Sequence, residues 1–244
     1  MEIKLPFFTE FAERFDMLFQ WLSRKYRIEM HPITVGSRDF QLFVLKDVDQ
    51  LLDQLAAAAP DDIALKDERL PYWAEIWPSS LALSRFLLEN ASSLKNMVTL
   101  EIGCGLGLSG IAAAAAGALV TISDYQEDAL RIAELNWLLN VGASPPAALM
   151  DWRKPDLKKR FRVILASDVA YEKRFFWPLV ETFRTLLLPG GHVYLSEPNR
   201  SIARRFFSLL QEEGFSFHKK SIPVNFRGKE VAISVYDIHY ATNQ

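Results

Sequence analysis

Hydrophobic positions recur at helical spacing near the start of the chain. Within Phe7–Tyr26 the apolar residues are three or four positions apart, which is the period of one helix face. Two short β-rich runs follow, Ile28–Val35 and Phe40–Leu45, and a glycine-containing connection joins them, so we expect a β-hairpin. The pattern over Asp47–Ala59 predicts a further helix that ends at a proline. Residues 1–70 are therefore expected to form a helical and β-hairpin extension.

From residue 71 onward, short apolar runs alternate with helix-like segments. The predicted strands cover 97–102, 119–123, 147–150, 163–167, 192–196, 215–224 and 231–239. The predicted helices cover 78–90, 109–116, 127–139, 174–188 and 202–213. Such alternation builds right-handed βαβ units and a mostly parallel sheet covered on both faces. The last two strands have no helix between them and add one antiparallel strand. We predict an α/β fold in which 71–244 form a Rossmann-like, doubly wound, seven-stranded domain.

Composition and charge narrow the classes of partner. The chain has 244 residues with 28 basic and 30 acidic side chains, a balance that does not predict binding to duplex nucleic acid. Cys104 is the single cysteine, which fits a reducing compartment. Without a long apolar run or a signal-like N-terminus, we expect a cytoplasmic protein that does not contact membranes. The four histidines show no metal-ligand spacing, so no metal is expected.

A glycine-rich turn connects the first predicted strand of the sheet to the helix after it. The run Glu-Ile-Gly-Cys-Gly-Leu-Gly occupies 101–107. Glycines allow a tight turn and the close approach of a ligand, and the free N–H groups of the following helix suit an anionic group. The third glycine is Gly107 rather than residue 108, which departs from the dinucleotide fingerprint. A turn required only for packing is the alternative.

An acidic residue ends the next predicted strand. Asp124 lies 21 residues after Gly103, where a carboxylate suits the two hydroxyls of a ribose. Capping of the helix that begins near Glu127 is the alternative. Together with the glycine-rich turn, Asp124 favours a nucleoside ligand.

These features resemble a known class of enzymes. The run 101–107 followed by Asp124 is similar to the class I, seven-strand S-adenosylmethionine (SAM)-dependent methyltransferases. The stretches Pro-Tyr-Trp-Ala-Glu-Ile-Trp-Pro-Ser-Ser at 71–80 and Ser-Asp-Val-Ala-Tyr at 167–171 resemble more narrowly the family-16 methyltransferases, most of which act on protein lysines. The resemblance implies SAM as cofactor, S-adenosylhomocysteine as product and a protein as substrate. It leaves the oligomeric state and the number of methyl groups open.

The same resemblance implies the cofactor-binding residues. Glu101 and the glycine turn would contact the methionine end of SAM, Asp124 the ribose and Asp151 with Trp152 the adenine. The expected set is Trp77, Glu101, Gly103, Cys104, Gly105, Gly107, Asp124, Tyr125, Asp151, Trp152 and Ser167. A turn role for Asp151 and core packing for Trp77 are the alternatives, and Cys104 is expected to contribute packing or a backbone contact.

Two residues after the fourth predicted strand are expected to be catalytic. Methyl transfer from a sulfonium leaves a neutral group, so the protein mainly positions the nucleophile and excludes water. Asp168 and Tyr171 resemble the family motif that borders the target amine; an N-cap and a packed aromatic ring are the alternatives. Residues 197–200 follow the fifth strand as a further rim candidate, although a polar loop is the simpler interpretation.

The leading hypothesis is SAM-dependent N-methylation of a protein lysine. Val169-Ala170 replaces the Pro-Pro of the motif found in enzymes that methylate nucleobase amines and glutamine amides, which argues mildly against those substrates. A small-molecule N-methyltransferase and a non-catalytic SAM-binding scaffold are the alternatives.

Overall fold

The computed structural model describes residues 9–48 and 71–241. The helices are α1 Thr9–Lys25, α2 Pro78–Glu89, α3 Ala91–Leu94, α4 Leu108–Ala115, α5 Glu127–Val141, α6 Phe176–Leu186 and α7 Ala203–Glu212. The strands are β1 Ile28–Val35, β2 Arg38–Leu45, β3 Val98–Ile102, β4 Leu119–Asp124, β5 Ala147–Leu149, β6 Phe161–Ser167, β7 Leu187–Glu197, β8 Phe215–Phe226 and β9 Lys229–Tyr240. The helix predicted over 47–59 lies outside the described residues from residue 49 onward. No helix in the described part is long and apolar enough to cross a membrane.

Seven strands form one sheet in the order β5-β4-β3-β6-β7-β9-β8. The neighbours from β5 to β7 are parallel, and β9 pairs antiparallel with both β7 and β8. This confirms the predicted doubly wound sheet with one antiparallel strand. The chain reverses its direction of winding at β3, so a crevice opens beyond the carboxyl ends of β3, β4 and β6.

The two faces of the sheet carry separate hydrophobic clusters. Successive side chains of a strand point to opposite faces, and Ile164 and Leu165 of β6 accordingly belong to different clusters. Helices α2, α4 and α5 cover one face, while α6 and α7 cover the other. Burial on both faces explains why the central strands are almost continuously apolar.

One predicted boundary was wrong. Helix α6 ends at Leu186, and Pro189-Gly190-Gly191 lies inside β7 rather than stopping a helix. Leu187 pairs with Phe161, and the pairing of β6 with β7 shifts register between Phe161 and Val163. Gly190 has φ +68°. In the sequence alone, proline and glycine indicate the end of a helix. In a sheet the same residues also form bulges within a strand.

Helix α1 and the β1–β2 hairpin pack directly on α5. Side chains of α1 and β2 belong to the same cluster as α5. Asn136 of α5 is buried: its Oδ1 accepts the N–H of Phe43 at 2.6 Å, and its Nδ2 donates to the carbonyls of Phe43 and Leu106 at 3.1 and 3.0 Å. Because Leu106 lies in the glycine-rich turn, Asn136 connects the hairpin to the edge of the crevice.

Candidate active site

A cleft of about 430 Å³ opens at the carboxyl ends of the parallel strands. This volume is within the range of small-ligand sites. The segment Tyr72–Ser80 forms its other wall. The sequence-predicted residues that line it are Trp77, Glu101, Gly103, Cys104, Gly105, Asp124, Tyr125, Trp152, Ser167, Asp168 and Tyr171. Gly107 and Asp151 are the two predicted residues that do not line it.

The glycine-rich turn leaves space that a side chain would fill. Gly103 has φ +60°, and a Cβ built on it would lie 2.6 Å from the ring of Trp152. Gly107 has φ +82° and is the N-cap residue of α4, where a Cβ would meet Ala133 at 3.2 Å. Gly103 therefore keeps the cleft open, whereas Gly107 serves the packing of α4 on α5.

Two buried carboxylates face this cleft. Burial raises the pKa of Glu101 to about 8, partly offset by the N–H of Gly110 and reinforced by the charge of Asp124. Burial likewise raises the pKa of Asp124 to about 6, although hydrogen bonds from the N–H groups of Gln126 and Gly105 lower it in part. Those bonds measure 3.0 and 3.1 Å. Within 9–48 and 71–241 neither carboxylate has a cationic partner, so a ligand with a positive charge would favour their ionised forms.

Asp124 does not cap the helix that follows it. The N-cap residue of α5 is Gln126, and the Oδ1 of Asp124 accepts the N–H of Gln126 two residues on, which is the bond of an Asx turn. The same carboxylate lines the cleft and holds the N–H of Gly105 through Oδ2. These two hydrogen bonds fix the carboxylate and the glycine turn in one arrangement.

Two further polar atoms of the cleft are buried without a partner among the described residues. They are Oγ of Ser109 and Nε1 of Trp152. Buried polar atoms are paired in most folded proteins, so unpaired ones indicate a missing ligand or water. One is a hydroxyl at the start of α4 and the other an indole N–H, which is a pure donor, so they suit a ligand with several acceptors.

Asp168 lies at the mouth of the cleft in an unusual backbone conformation. Its φ of +59° is in the left-handed region, which Asp tolerates better than most residues. Its N–H donates to the carbonyl of Ser196 at 3.0 Å. Oδ2 accepts the hydroxyl of Ser79 at 3.1 Å, and Oδ1 forms an ion pair with Arg200. The helical turn that follows has Glu172 as its N-cap, so Asp168 does not cap it.

Arg200 is a functional candidate that the sequence pattern did not distinguish from the rest of a polar loop. Residues 197–200 form a fixed loop, because buried Glu197 accepts the N–H groups of Asn199 and Arg200 at 2.7 and 2.6 Å. Burial raises the pKa of Glu197 despite these bonds. Arg200 lines the cleft. The position of the loop, after a parallel strand at the carboxyl edge, was the available signal; its contact with Asp168 was not visible in the sequence.

Aromatic rings surround the same mouth. Tyr171 contacts Phe175 and Tyr72, with ring centroids 5.4 and 6.0 Å apart. Tyr72 also contacts Trp77 at 6.0 Å and accepts its Nε1–H through its carbonyl at 2.7 Å. Burial raises the pKa of Tyr171, so its hydroxyl stays protonated. Tyr171 is thus both a packed ring and a wall of the cleft.

The structure does not bring Asp151 into the cleft. Its carboxylate forms an ion pair with Nη2 of Arg153 at 2.6 Å and accepts the N–H of the same residue at 2.8 Å. This is the arrangement of a turn residue. Cys104 does line the cleft; burial, Asp124 and Glu101 all raise the pKa of its thiol, which makes it a poor nucleophile.

Comparison with known proteins agrees with this geometry. A family model described as lysine methyltransferase matches residues 61–213. This chain belongs to that family. Its sequence is 34% identical to the histidine protein methyltransferase 1 homolog of Dictyostelium discoideum, covering 50% of this chain and 41% of that protein. It is also 34% identical to the electron transfer flavoprotein beta subunit lysine methyltransferase of Mus musculus, covering 58% of each.

The chain spans about half the length of these curated relatives. Among solved structures, the ribosomal protein L11 methylase of Lactobacillus delbrueckii subsp. bulgaricus matches with a TM-score of 0.58 and 16% identity. The match covers 87% of this chain and 98% of that one, and it shows a shared fold.

Membership of the family makes SAM the cofactor, and the cleft fits it. SAM carries an ammonium and a sulfonium beside one carboxylate, so its net charge suits a site with two buried acids. Asp124 is held at the end of β4, where a carboxylate can accept ribose hydroxyls. Ser109 and Trp152 supply the unpaired polar atoms.

Proposed function

We propose that this protein transfers a methyl group from SAM to a lysine side chain of a protein substrate. The observation that carries the proposal is Asp168, a nearly buried carboxylate at the mouth of the cofactor cleft. Carboxylates accept hydrogen bonds from amines. The lysine methyltransferase family and the relative from Mus musculus support the same substrate class.

Methyl transfer requires the protein mainly to position the amine against the methyl group of SAM. Bound SAM supplies an electrophilic methyl group and a leaving group that becomes neutral. Asp168 then orients the amine by accepting one of its N–H groups, and Ser79 holds the second carboxylate oxygen. Tyr72, Tyr171 and Trp77 exclude water from the approach to the cleft. Correct orientation of two reactants is itself a large part of such a rate enhancement.

Arg200 gives the site a way to favour the neutral amine. A lysine must lose its proton before it can attack, and both an apolar wall and a nearby cation lower its pKa. The aromatic rings supply the wall, and the guanidinium of Arg200 beside Asp168 supplies the cation. Asp168 therefore orients the amine without stabilising its ammonium form as strongly as a lone carboxylate would.

The proposal is tested by following the methyl group. The protein is incubated with methyl-labelled SAM and a cell lysate, and the labelled species is hydrolysed to amino acids. We expect methyl-lysine in protein. Label in small solutes would replace the proposal with a small-molecule methyltransferase, and methyl-histidine would replace it with a histidine acceptor. SAM binding without any transfer would identify a scaffold.

Variants assign the roles within the site. Asp168→Ala is expected to keep SAM affinity and lose at least about 100-fold in transfer, the usual size of such a contribution. Asp124→Ala is expected to weaken SAM binding instead. Asp151→Ala is the matched control, since its carboxylate is only partly buried, lies outside the cleft and is paired with Arg153. Equal effects of Asp168→Ala and Asp151→Ala on transfer would refute the role of Asp168.

The compartment and partners follow as parts of the same proposal. We propose that the protein works in the cytoplasm, because its single cysteine is free and reduced thiols persist there. A protein substrate, rather than duplex nucleic acid, also fits the net charge of −2.

A further inference from the structure

We infer that His192, Asp237 and His239 form a binding site for a transition-metal dication such as Zn²⁺, on the sheet and away from the cleft. Each side chain offers one ligand atom, and these atoms lie within 4.8 Å of one another. In a tetrahedral zinc site with bonds of about 2.0–2.1 Å the ligand atoms lie about 3.3 Å apart, so rotations of the side chains bring the more distant atoms into range.

Strand pairing places these side chains on one face. Asp237 and His239 are two residues apart on β9, and side chains at that spacing share a face. His192 lies on the adjacent strand β7, and its Nδ1 is 2.7 Å from Oδ1 of Asp237. The rings of His192 and His239 are 5.7 Å apart. The three residues are partly buried, so water can complete the coordination.

A third imidazole lies beside them. His218 pairs with Asp237 across β8 and β9, and its ring is stacked 5.8 Å from that of His239. Three of the four histidines in the chain therefore meet at one place. A simple ion pair of His192 with Asp237 explains neither His218 nor His239.

His239 supplies an independent indication of a missing ligand. Its Nδ1 is buried and has no hydrogen-bond partner among the described residues. An imidazole nitrogen that is withdrawn from water without a partner loses free energy unless something else binds it. A metal ion held by this nitrogen and by its neighbours on β7 and β9 would satisfy it.

The donor set selects the kind of ion. Imidazole nitrogens with one carboxylate oxygen suit Zn²⁺, Ni²⁺ or Cu²⁺, whereas Mg²⁺ and Ca²⁺ prefer oxygen ligands throughout. The expectation of no metal, drawn from the spacing of the histidines, overlooked this group because His192 is on β7 whereas Asp237 and His239 are on β9. A spacing motif detects only ligands that are close together in the sequence.

The location indicates a structural role. His192 pairs with Val163 near the start of β6, so the site is at the end of the sheet opposite the cleft. An ion there would connect β7 to β9, the antiparallel strand that the C-terminal hairpin adds. The site would then stabilise that hairpin without taking part in methyl transfer.

The test is titration of the folded protein with Zn²⁺ alone by calorimetry at pH 7.5, together with thermal unfolding. We expect one ion per chain with a Kd below about 10 µM and a rise in Tm of about 5 °C at saturation. His192→Ala and His239→Ala are each expected to weaken binding at least about 10-fold. Circular dichroism of both variants verifies that they fold.

His31→Ala is the matched control. His31 also contacts a carboxylate, Glu29, at 2.8 Å, but no second imidazole is near it in the described structure. Loss of Zn²⁺ binding only in the His192 and His239 variants supports the site. Equal loss in His31→Ala, equal binding of Mg²⁺, or a Kd for Zn²⁺ above about 1 mM would overturn it.

Discussion

Replacing Glu101 by glutamine should make the ligand-free protein more stable at alkaline pH. Glu101 is almost completely buried, and burial raises the pKa of its carboxyl from the ordinary 4.5 to about 8. The folded protein therefore keeps a proton that the unfolded chain releases above pH 4.5. Stability is greatest below that pH and falls as the pH rises through about 8. Glutamine has nearly the same shape and no charge to bury.

The size of this effect follows from the same two values. One pKa unit corresponds to about 1.4 kcal/mol, so the interval from 4.5 to about 8 corresponds to at most about 5 kcal/mol. Relaxation of the site and entry of water reduce such penalties. We therefore expect Glu101→Gln to match the natural protein near pH 4.5 and to exceed it in unfolding free energy by about 2–5 kcal/mol at pH 9.

The assay is urea unfolding of both ligand-free proteins from pH 4.5 to pH 9. Glu89→Gln serves as the control, because the hydrogen bond from Arg85, with Lys220, lowers the pKa of Glu89. The stabilisation from Glu89 is present above its ordinary pKa and lost as the pH falls. A stability difference between Glu101→Gln and the natural protein that does not grow between pH 5 and pH 9 would refute the reasoning.

Two further predictions concern the cleft and its support. Gly103→Ala should weaken SAM binding at least about 10-fold, since the added Cβ would meet Trp152 at 2.6 Å. Gly228→Ala is the control: Gly228 also has a positive φ, +76°, but has open space around it, so the Kd should stay unchanged. Equal Kd values for both would contradict this. Asn136→Ala should lower the unfolding free energy by about 2–4 kcal/mol, because three buried hydrogen bonds are lost. Asn140→Ala removes two exposed bonds to Gln41 and one part-buried bond to the carbonyl of Asn136, and it should cost about 1 kcal/mol or less in urea unfolding. A cost as large as that of Asn136→Ala would refute the role of burial.

Local pattern was sufficient for most of the secondary structure. The alternation of apolar strands and amphipathic helices predicted the seven strands and their doubly wound order, because hydrophobic periodicity reflects which face of each element is buried. It failed at Pro189-Gly190-Gly191, where a bulge in β7 uses the residues that elsewhere end a helix. Whether such residues break a helix or bend a strand depends on a partner strand distant in sequence.

The sequence by itself determined the class of fold and identified the glycine turn and Asp124 as one wall of the cleft. The glycine turn and Asp124 lie within one βαβ unit, so their spacing carries the information. Only the tertiary structure decided that Arg200 reaches Asp168 and that histidines of β7, β8 and β9 meet. These contacts join segments far apart in the chain. They depend on strand order and register, which no local spacing of residues encodes.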